Sequence, residues 1–383
     1  KIKRKRNLSG KLMGLNKKEL IASVFNAFNH NCTIEEIQEF SSGHINDTYF
    51  IGTSGAHNFV LQRINDEVFH NVPALVNNKV KISKHLASQF PKLTAKEKYR
   101  HVLTFLPTRK GAYFYQDAFD NYWNLTYYIK DSISYDTVTD KEIAYEGGKL
   151  FGKFISQTSD FDAGQLVEII PGFHDVPKRL IQFEKARDKA CTERLEKAVS
   201  QIECVHSLQT EMVILQQLKD EGKIPTRVTH NDTKISNALF DRNNKGLCVI
   251  DTDTVMPGIV HNDFGDAIRT ICNTAEEDEK DLSLVKFNVK YYEAYLKGFL
   301  EELQHSLSDL EIEFLPLGAK TIIFIMGLRF LTDYLAGDVY YKTSYAEHNL
   351  DRAKNQFKLI ESFEDQYPDI LKLSKSILKS KRL

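Results

Sequence analysis

An island of β-patterned sequence inside a helical half constrains this chain of 383 residues more than any other feature. From Lys141 onward the residues read as helices, over 141–157 and then over 178–221, with a stop at Gly222 and Pro225. Helical patterning resumes near 281 and runs to the end. Between these stretches stands the island, 237–254, read as a strand at 238–241, a polar turn at 242–246 and a second strand at 247–251. The first third is patterned differently. Residues 48–51 and 59–64 read as strands around a turn at 52–58. Asn71 and Pro73 open a helix over 74–89, and 101–106 and 121–129 read as two more strands. Strands followed by helices predict an α+β chain in two parts, not an alternating parallel sheet. The expected division is 19–130, β-rich, and 131–383, mainly helical with an embedded hairpin.

Charge narrows the function classes. The net charge of -1 hides a polarity: 13 of the 51 basic residues lie in 1–18 and 371–383, where there is no acid. That leaves 38 bases against 52 acids in 19–370. An acidic body argues against a nucleic-acid-binding core, and the basic ends read as solvated tails. No run reaches the ~18 apolar residues of a membrane span; the densest, 322–328, is interrupted by Arg329. No apolar segment follows the basic N-terminus, so it does not read as a secretory signal. Five scattered cysteines without a C-x-x-C pair point to reduced thiols, and a cytoplasmic protein is expected, with neither nucleic-acid nor membrane partners.

The chemistry concentrates just before the hairpin, in Val228-Thr229-His230-Asn231-Asp232-Thr233-Lys234-Ile235-Ser236-Asn237, and at its end, in Val249-Ile250-Asp251-Thr252-Asp253. Facing residues of an antiparallel hairpin have a constant index sum. If Asp241 faces Leu247, Asn237 faces Asp251, and an amide oxygen meets a carboxylate near Asp232. Such hard oxygens suit Mg²⁺ bound together with phosphates. Asp253 shares that face only if the strand continues. Asp263-Phe264-Gly265 spells a second acidic motif, but the pairing argument places Asp251 beside Asn237. Asp263 and Asp266 are expected to fix the loop that follows them and Arg269, the alternative being contact with the substrate. Upstream, Ser41-Ser42-Gly43-His44-Ile45-Asn46-Asp47-Thr48 lies between β runs, where backbone N–H groups and polar side chains can hold phosphate oxygens.

The spacing His-x-Asp-x-x-x-x-Asn, followed by a strand ending in Asp, resembles the catalytic loop and metal-binding Asp of the kinase fold. The absence of A-P-E and the helices after the hairpin make the chain similar to the aminoglycoside phosphotransferase and choline kinase family. Within it, the segments 42–48, 229–234, 249–258, 263–266 and 329–340 look like those of N-acetylhexosamine 1-kinases. The resemblance implies a bilobal protein-kinase-like fold, with a β-rich nucleotide lobe and a helical lobe carrying the catalytic hairpin. It implies ATP and Mg²⁺ as cofactors and the anomeric hydroxyl of GlcNAc or GalNAc as acceptor. Asp232 would face that hydroxyl and take its proton, with His230 bracing the loop and Lys234 offsetting phosphate charge. Asn237 and Asp251 would hold the metal. Ser42, Gly43, Asn46 and Thr48 would cover the phosphates, and Arg63 would stand where such kinases carry a β3 lysine. The helix that should supply that base with a Glu has no acid over 74–82. Arg329 and Tyr340 would bind the sugar, the alternative for Arg329 being an i,i+4 pair with Asp333. Competing readings are a kinase of another small alcohol (choline, homoserine or an aminoglycoside) and a nucleotide-binding module without activity.

Overall fold

Alternating apolar residues in the first third build one antiparallel sheet with two chemically different faces. The computed structural model describes residues 17–40, 45–303 and 305–381. Ser42 and Gly43 lie outside the described residues, as do the bases of 1–16. The chain divides into two compact units. The first runs to Ser132 and takes in Leu166–Ile169 and Cys248–Val255; the second comprises Ile133–Gln165, Ile170–Leu247 and Met256 onward.

In the first unit, α1 (Lys17–Phe25) precedes β1 (Ile34–Phe40), β2 (Asp47–Thr53) and β3 (Phe59–Ile64). Helix α2 (Val72–Ser88) follows, then β4 (Tyr115–Gln116) and β5 (Tyr122–Tyr127). The strands order β1-β2-β3-β5-β4. Tyr49, Ile51, Phe59, Leu61, Trp123 and Leu125 cover one face and pack with Ile21, Val24, Phe25 and Phe28. The same register aligns Thr48, Gln62 and Asn124 across three strands on the opposite face. Helix α2 begins as the sequence indicates: the Asn71 side chain accepts from the Ala74 amide at 3.2 Å, with Pro73 in the first turn. The expected strand at 101–106 is not one. It makes a single bridge, Phe105 to Thr126, and Pro107, lacking an N–H, follows at once.

The second unit contains α3 (Lys141–Gln157), α4 (Val176–Arg187) and α5 (Val199–Met212), then β6 (Arg227–Thr229) and β7 (Ala238–Phe240). The chain passes into the first unit within β8 (Gly246–Val249) and returns at β9 (Met256–Gly258). There follow α6 (Val260–Ile271), α7 (Val289–Leu303), α8 (Leu315–Ala336), α9 (His348–Asp365) and α10 (Tyr367–Lys381). The α+β expectation holds, and α6 adds a helix in a stretch to which the sequence patterning assigns no element. Its acids and glycine are poor helix formers, and tertiary packing overrides them: ten of its twelve residues are buried. Gly265 is required by that packing, because a Cβ there would overlap the Gly318 carbonyl of α8. Helices α3 and α7 also approach closely, a Cβ on Gly298 overlapping the Tyr145 carbonyl. Helix α8 is long and apolar enough to cross a membrane by length and composition, and 83% of its most apolar window is buried within the protein.

Candidate active site

The loop 230–237 is held from below by α6. Thr229, on β6, pairs with Met256 on β9. The next residues turn sharply: Asn231 takes the left-handed conformation (φ 61°), which a non-glycine residue keeps only when its surroundings hold it. Asp263 supplies that hold. Its carboxylate accepts the His230 amide at 2.8 Å and the Asn231 amide at 2.7 Å. One turn on, Asp266 accepts the Thr233 amide at 2.8 Å, and the Thr233 hydroxyl donates to the Asp263 carbonyl at 2.5 Å. The two acids sit on one face of α6 because i and i+3 share a face. They therefore brace the loop that precedes them by some thirty residues, correcting the expectation that they fix the one that follows. Burial pushes the Asp263 carboxyl up to about 7 despite its two amide donors. Asp266 is also raised by burial, opposed by Arg269, which it meets at 3.2 Å and which Glu277 meets at 2.8 Å.

On this support Asp232 is directed by its neighbours. Asn237 Nδ2 donates to both the Asp232 carbonyl and its Oδ2 at 2.8 Å, and Lys234 Nζ stands 3.2 Å from Oδ2. The Asn237 amide nitrogen being engaged, its oxygen is the atom left to act as acceptor. His230 is buried edge-on to Phe151 and Phe154, and its Nδ1 accepts the Asp232 amide at 3.3 Å. The hairpin turn differs from the sequence argument: the Asp241 amide donates to Lys245, not across to Leu247. The premise that set Asn237 opposite Asp251 is thereby removed, because the facing pair shifts by two. Asp251 lies in the first unit in the left-handed conformation (φ 57°, ψ 60°), immediately before a short 3-10 turn at Thr252–Thr254.

Strand alternation in the first unit corrects the reading of Arg63. Period two places Arg63 on the face of Phe59 and Leu61, where its Nε donates to Asp47 at 2.6 Å and its Nη1 to Asn121 at 3.2 Å. The residue facing α2 is Gln62, whose Oε1 lies 3.3 Å from Lys79 Nζ. Thr48 lies on that Gln62 face. Asn46 is committed at both ends of its amide, to Asp253 and, as acceptor, to the Asn65 N–H at 2.9 Å. Its side chain therefore ties the strand start to Asp253 and Asn65 within the first unit.

Arg329, on α8, stands within cation–π range of three rings, Phe173 at 5.1 Å, Tyr341 at 5.5 Å and Tyr340 at 5.9 Å. Among the described residues its guanidinium meets no carboxylate, and its hydrogen-bond acceptor is the Met326 thioether at 3.4 Å. The i,i+4 pairing with Asp333 does not form. Asp333 instead accepts the amides of Val339, Tyr340 and Tyr341 at 2.8–3.0 Å and the Asn349 side chain at 2.9 Å. It thus presents Tyr340, 61% exposed, beside Arg329. The sequence reading missed His174 and Arg179. Both His174 ring nitrogens are buried without a partner, and burial with the charges of Arg329, Arg179 and Arg269 pushes its pKa well below the ordinary value. Burial and Arg329 lower Arg179 to about 10. Neither belongs to a motif that the sequence singles out.

Comparison with known proteins identifies the fold and the family. Among solved structures, a microcompartment-associated aminopropanol kinase matches with a TM-score of 0.62 at 14% identity, covering 91% of this chain and 98% of its own. An aminoglycoside phosphotransferase from Alicyclobacillus acidocaldarius matches at 0.56 and 13% identity, with 98% of each chain covered. Choline kinase from Cryptosporidium parvum Iowa II matches at 0.55 and 14% identity, covering 92% and 97%. These likenesses show the α+β fold of the protein-kinase-like phosphotransferases. The family model of the phosphotransferase enzymes (APH) spans residues 36–302, from the first strand of the sheet to the end of α7, and the chain belongs to that family.

Proposed function

We propose that this phosphotransferase moves the γ-phosphoryl group of ATP onto the anomeric hydroxyl of an N-acetylhexosamine, giving ADP and the sugar 1-phosphate. The observation that carries the acceptor class is Arg329, ringed by Phe173, Tyr340 and Tyr341 and unmatched by an acid among the described residues. A cation over aromatic rings suits a neutral ring with an acetamide oxygen to accept from the guanidinium. With Arg179 and Arg269 acting on the same His174, the cluster opposes polycationic aminoglycosides and the quaternary amine of choline. Arg269 also ties it to the catalytic loop through Asp266, whose carboxyl feels both Arg269 and Asp232.

In the step itself, the C1 oxygen forms a bond to the γ-phosphorus as the bridging P–O bond breaks and leaves ADP. The hydroxyl proton passes to the Asp232 carboxylate, which Asn237 Nδ2 and Lys234 hold from one side. Lys234 adds positive charge where the transferred group is most negative. The Asn237 amide oxygen and the Asp232 carboxylate in the second unit, and the Asp251 carboxylate in the first, are each hard-oxygen donors of the kind that Mg²⁺ takes. When bound with ATP, Mg²⁺ would offset phosphate charge; Asn237 and Asp251 would hold it.

The test is ADP release with Mg·ATP and GlcNAc or GalNAc, run beside choline, aminopropanol and kanamycin, with the phosphate position read by ³¹P NMR. Hexosamine-dependent release and an anomeric phosphate are expected. Release driven only by another acceptor, or a phosphate on a different hydroxyl, overturns the substrate assignment. Asp232→Asn should lower kcat about a hundred- to ten-thousand-fold with ATP affinity retained; near-normal turnover removes Asp232 from its role.

A further inference from the structure

The first unit holds an ion pair that the reading above does not use. Lys79 of α2 and Asp253 contact each other with side chains only 3% and 4% exposed. Around them, Gln62 Oε1 accepts from Lys79 Nζ at 3.3 Å, the Asn46 side chain donates to Asp253, and the Lys79 ammonium stands 5.3 Å from the Phe105 ring centroid. The preceding residue of α2 grips the other end of the same segment: Asn78 Nδ2 donates to the Val255 carbonyl at 3.0 Å and to Val167 at 2.8 Å. Two successive side chains of one helix therefore fasten the four residues after Asp251, which itself sits in the left-handed region.

We propose that Lys79 is a positioning residue: by neutralising Asp253 and anchoring it to α2, it sets the aim of Asp251. The inference rests on the reading in which Asp251 holds Mg²⁺. The polarity of a strand base and a helix acid is exchanged here, the strand presenting uncharged Gln62 and the helix supplying the cation. A pair this buried is closed to nucleotide, so Lys79 acts through Asp253 and not on a phosphate. Removing one partner leaves the other charged and uncompensated, whereas removing both charges together leaves a neutral, nearly isosteric pair.

The experiment is a double-mutant cycle on the full chain with Lys79→Met, Asp253→Asn and the two combined. It reads kcat, the Mg²⁺ concentration that half-saturates ATP binding by calorimetry, and Tm. Either single variant should raise that Mg²⁺ concentration about tenfold and lower kcat at least as much, and the double variant should recover most of both. If Lys79→Met does not fold, Asp253→Asn alone against the double carries the same comparison. A fall in Tm with unchanged Mg²⁺ dependence makes the pair merely structural and overturns the proposal. So does a double variant no better than Lys79→Met with ATP binding weakened even without Mg²⁺, which would put Lys79 on a phosphate. Asp251→Asn is the control: wild-type Mg²⁺ dependence there sinks the Asp251 reading itself, whatever the cycle returns.

Discussion

Replacing Asp263 by Ala isolates the contribution of α6 to the catalytic loop. The change removes the shared acceptor of two backbone amides, His230 and Asn231, both of which are buried. A buried donor left without a partner costs about 1–3 kcal/mol, so two give roughly 2–6 kcal/mol. Relief of a carboxyl that burial already disfavours offsets part of this, leaving about 2–4 kcal/mol. In a unit of this size, each kcal/mol lowers Tm by about 2–4 °C, for a fall of roughly 5–15 °C. The kinetic effect comes through Asn231. Without the two bonds its left-handed conformation loses its support, and Asp232, the next residue, moves with it. A displacement on the order of 1 Å costs about a hundredfold in rate. Steady-state kinetics with saturating ATP and acceptor should show that loss in kcat, with KM for ATP changed less than about threefold. Asp263→Asn keeps one acceptor oxygen and should fall between wild type and Ala in both Tm and kcat. An Ala variant with wild-type kcat and an unmoved Tm would refute the bracing argument.

Three further outcomes follow from the same geometry. Gly265→Ala forces a methyl against the Gly318 carbonyl and should cost ~1–3 kcal/mol or more, visible as a lowered urea midpoint; an unchanged midpoint would mean that α6 and α8 separate freely. Asp333→Ala frees the amides of 339–341 and should raise KM for the acceptor about tenfold while moving kcat less, because Tyr340 is no longer presented beside Arg329. In pH titrations of stability two buried groups act with opposite sign. His261, lowered by burial to about 4, is neutral when folded, so stability falls as pH drops from 6.5 toward 4, and His261→Gln should flatten that limb. Asp263, raised to about 7, keeps a proton that the unfolded chain has lost above 3.8, so its share of stability falls as pH rises from 3.8 toward 7 and levels off above that. Asp263→Asn should remove that slope, and a slope that persists would place the titration elsewhere.

Much of the fold and the site could be read directly from the residues. The helix at 141–157 and the opening of α2 at Asn71 and Pro73 match their signals, because local propensity and capping act within a few residues. The family is legible in His230-x-Asp232-x-x-x-x-Asn237, since that spacing is carried by one loop. Helix α6 was not legible, because its two acids and glycine argue against a helix. What stabilises them lies elsewhere: backbone amides some thirty residues away in sequence for the acids, and a close-packed partner helix for the glycine.

By itself, then, the sequence determined the kind of chain this is: an α+β phosphotransferase with one acidic loop beside a hairpin. Tertiary structure decided which side chains serve which purpose. A one-residue difference along β3 puts Arg63 on the face opposite Gln62, and no composition reveals which face α2 covers. The pairing of Lys79 with Asp253 spans 174 residues. Side-chain charge is written into the sequence, but burial and contact are properties of the folded chain, and those set what a charge can do.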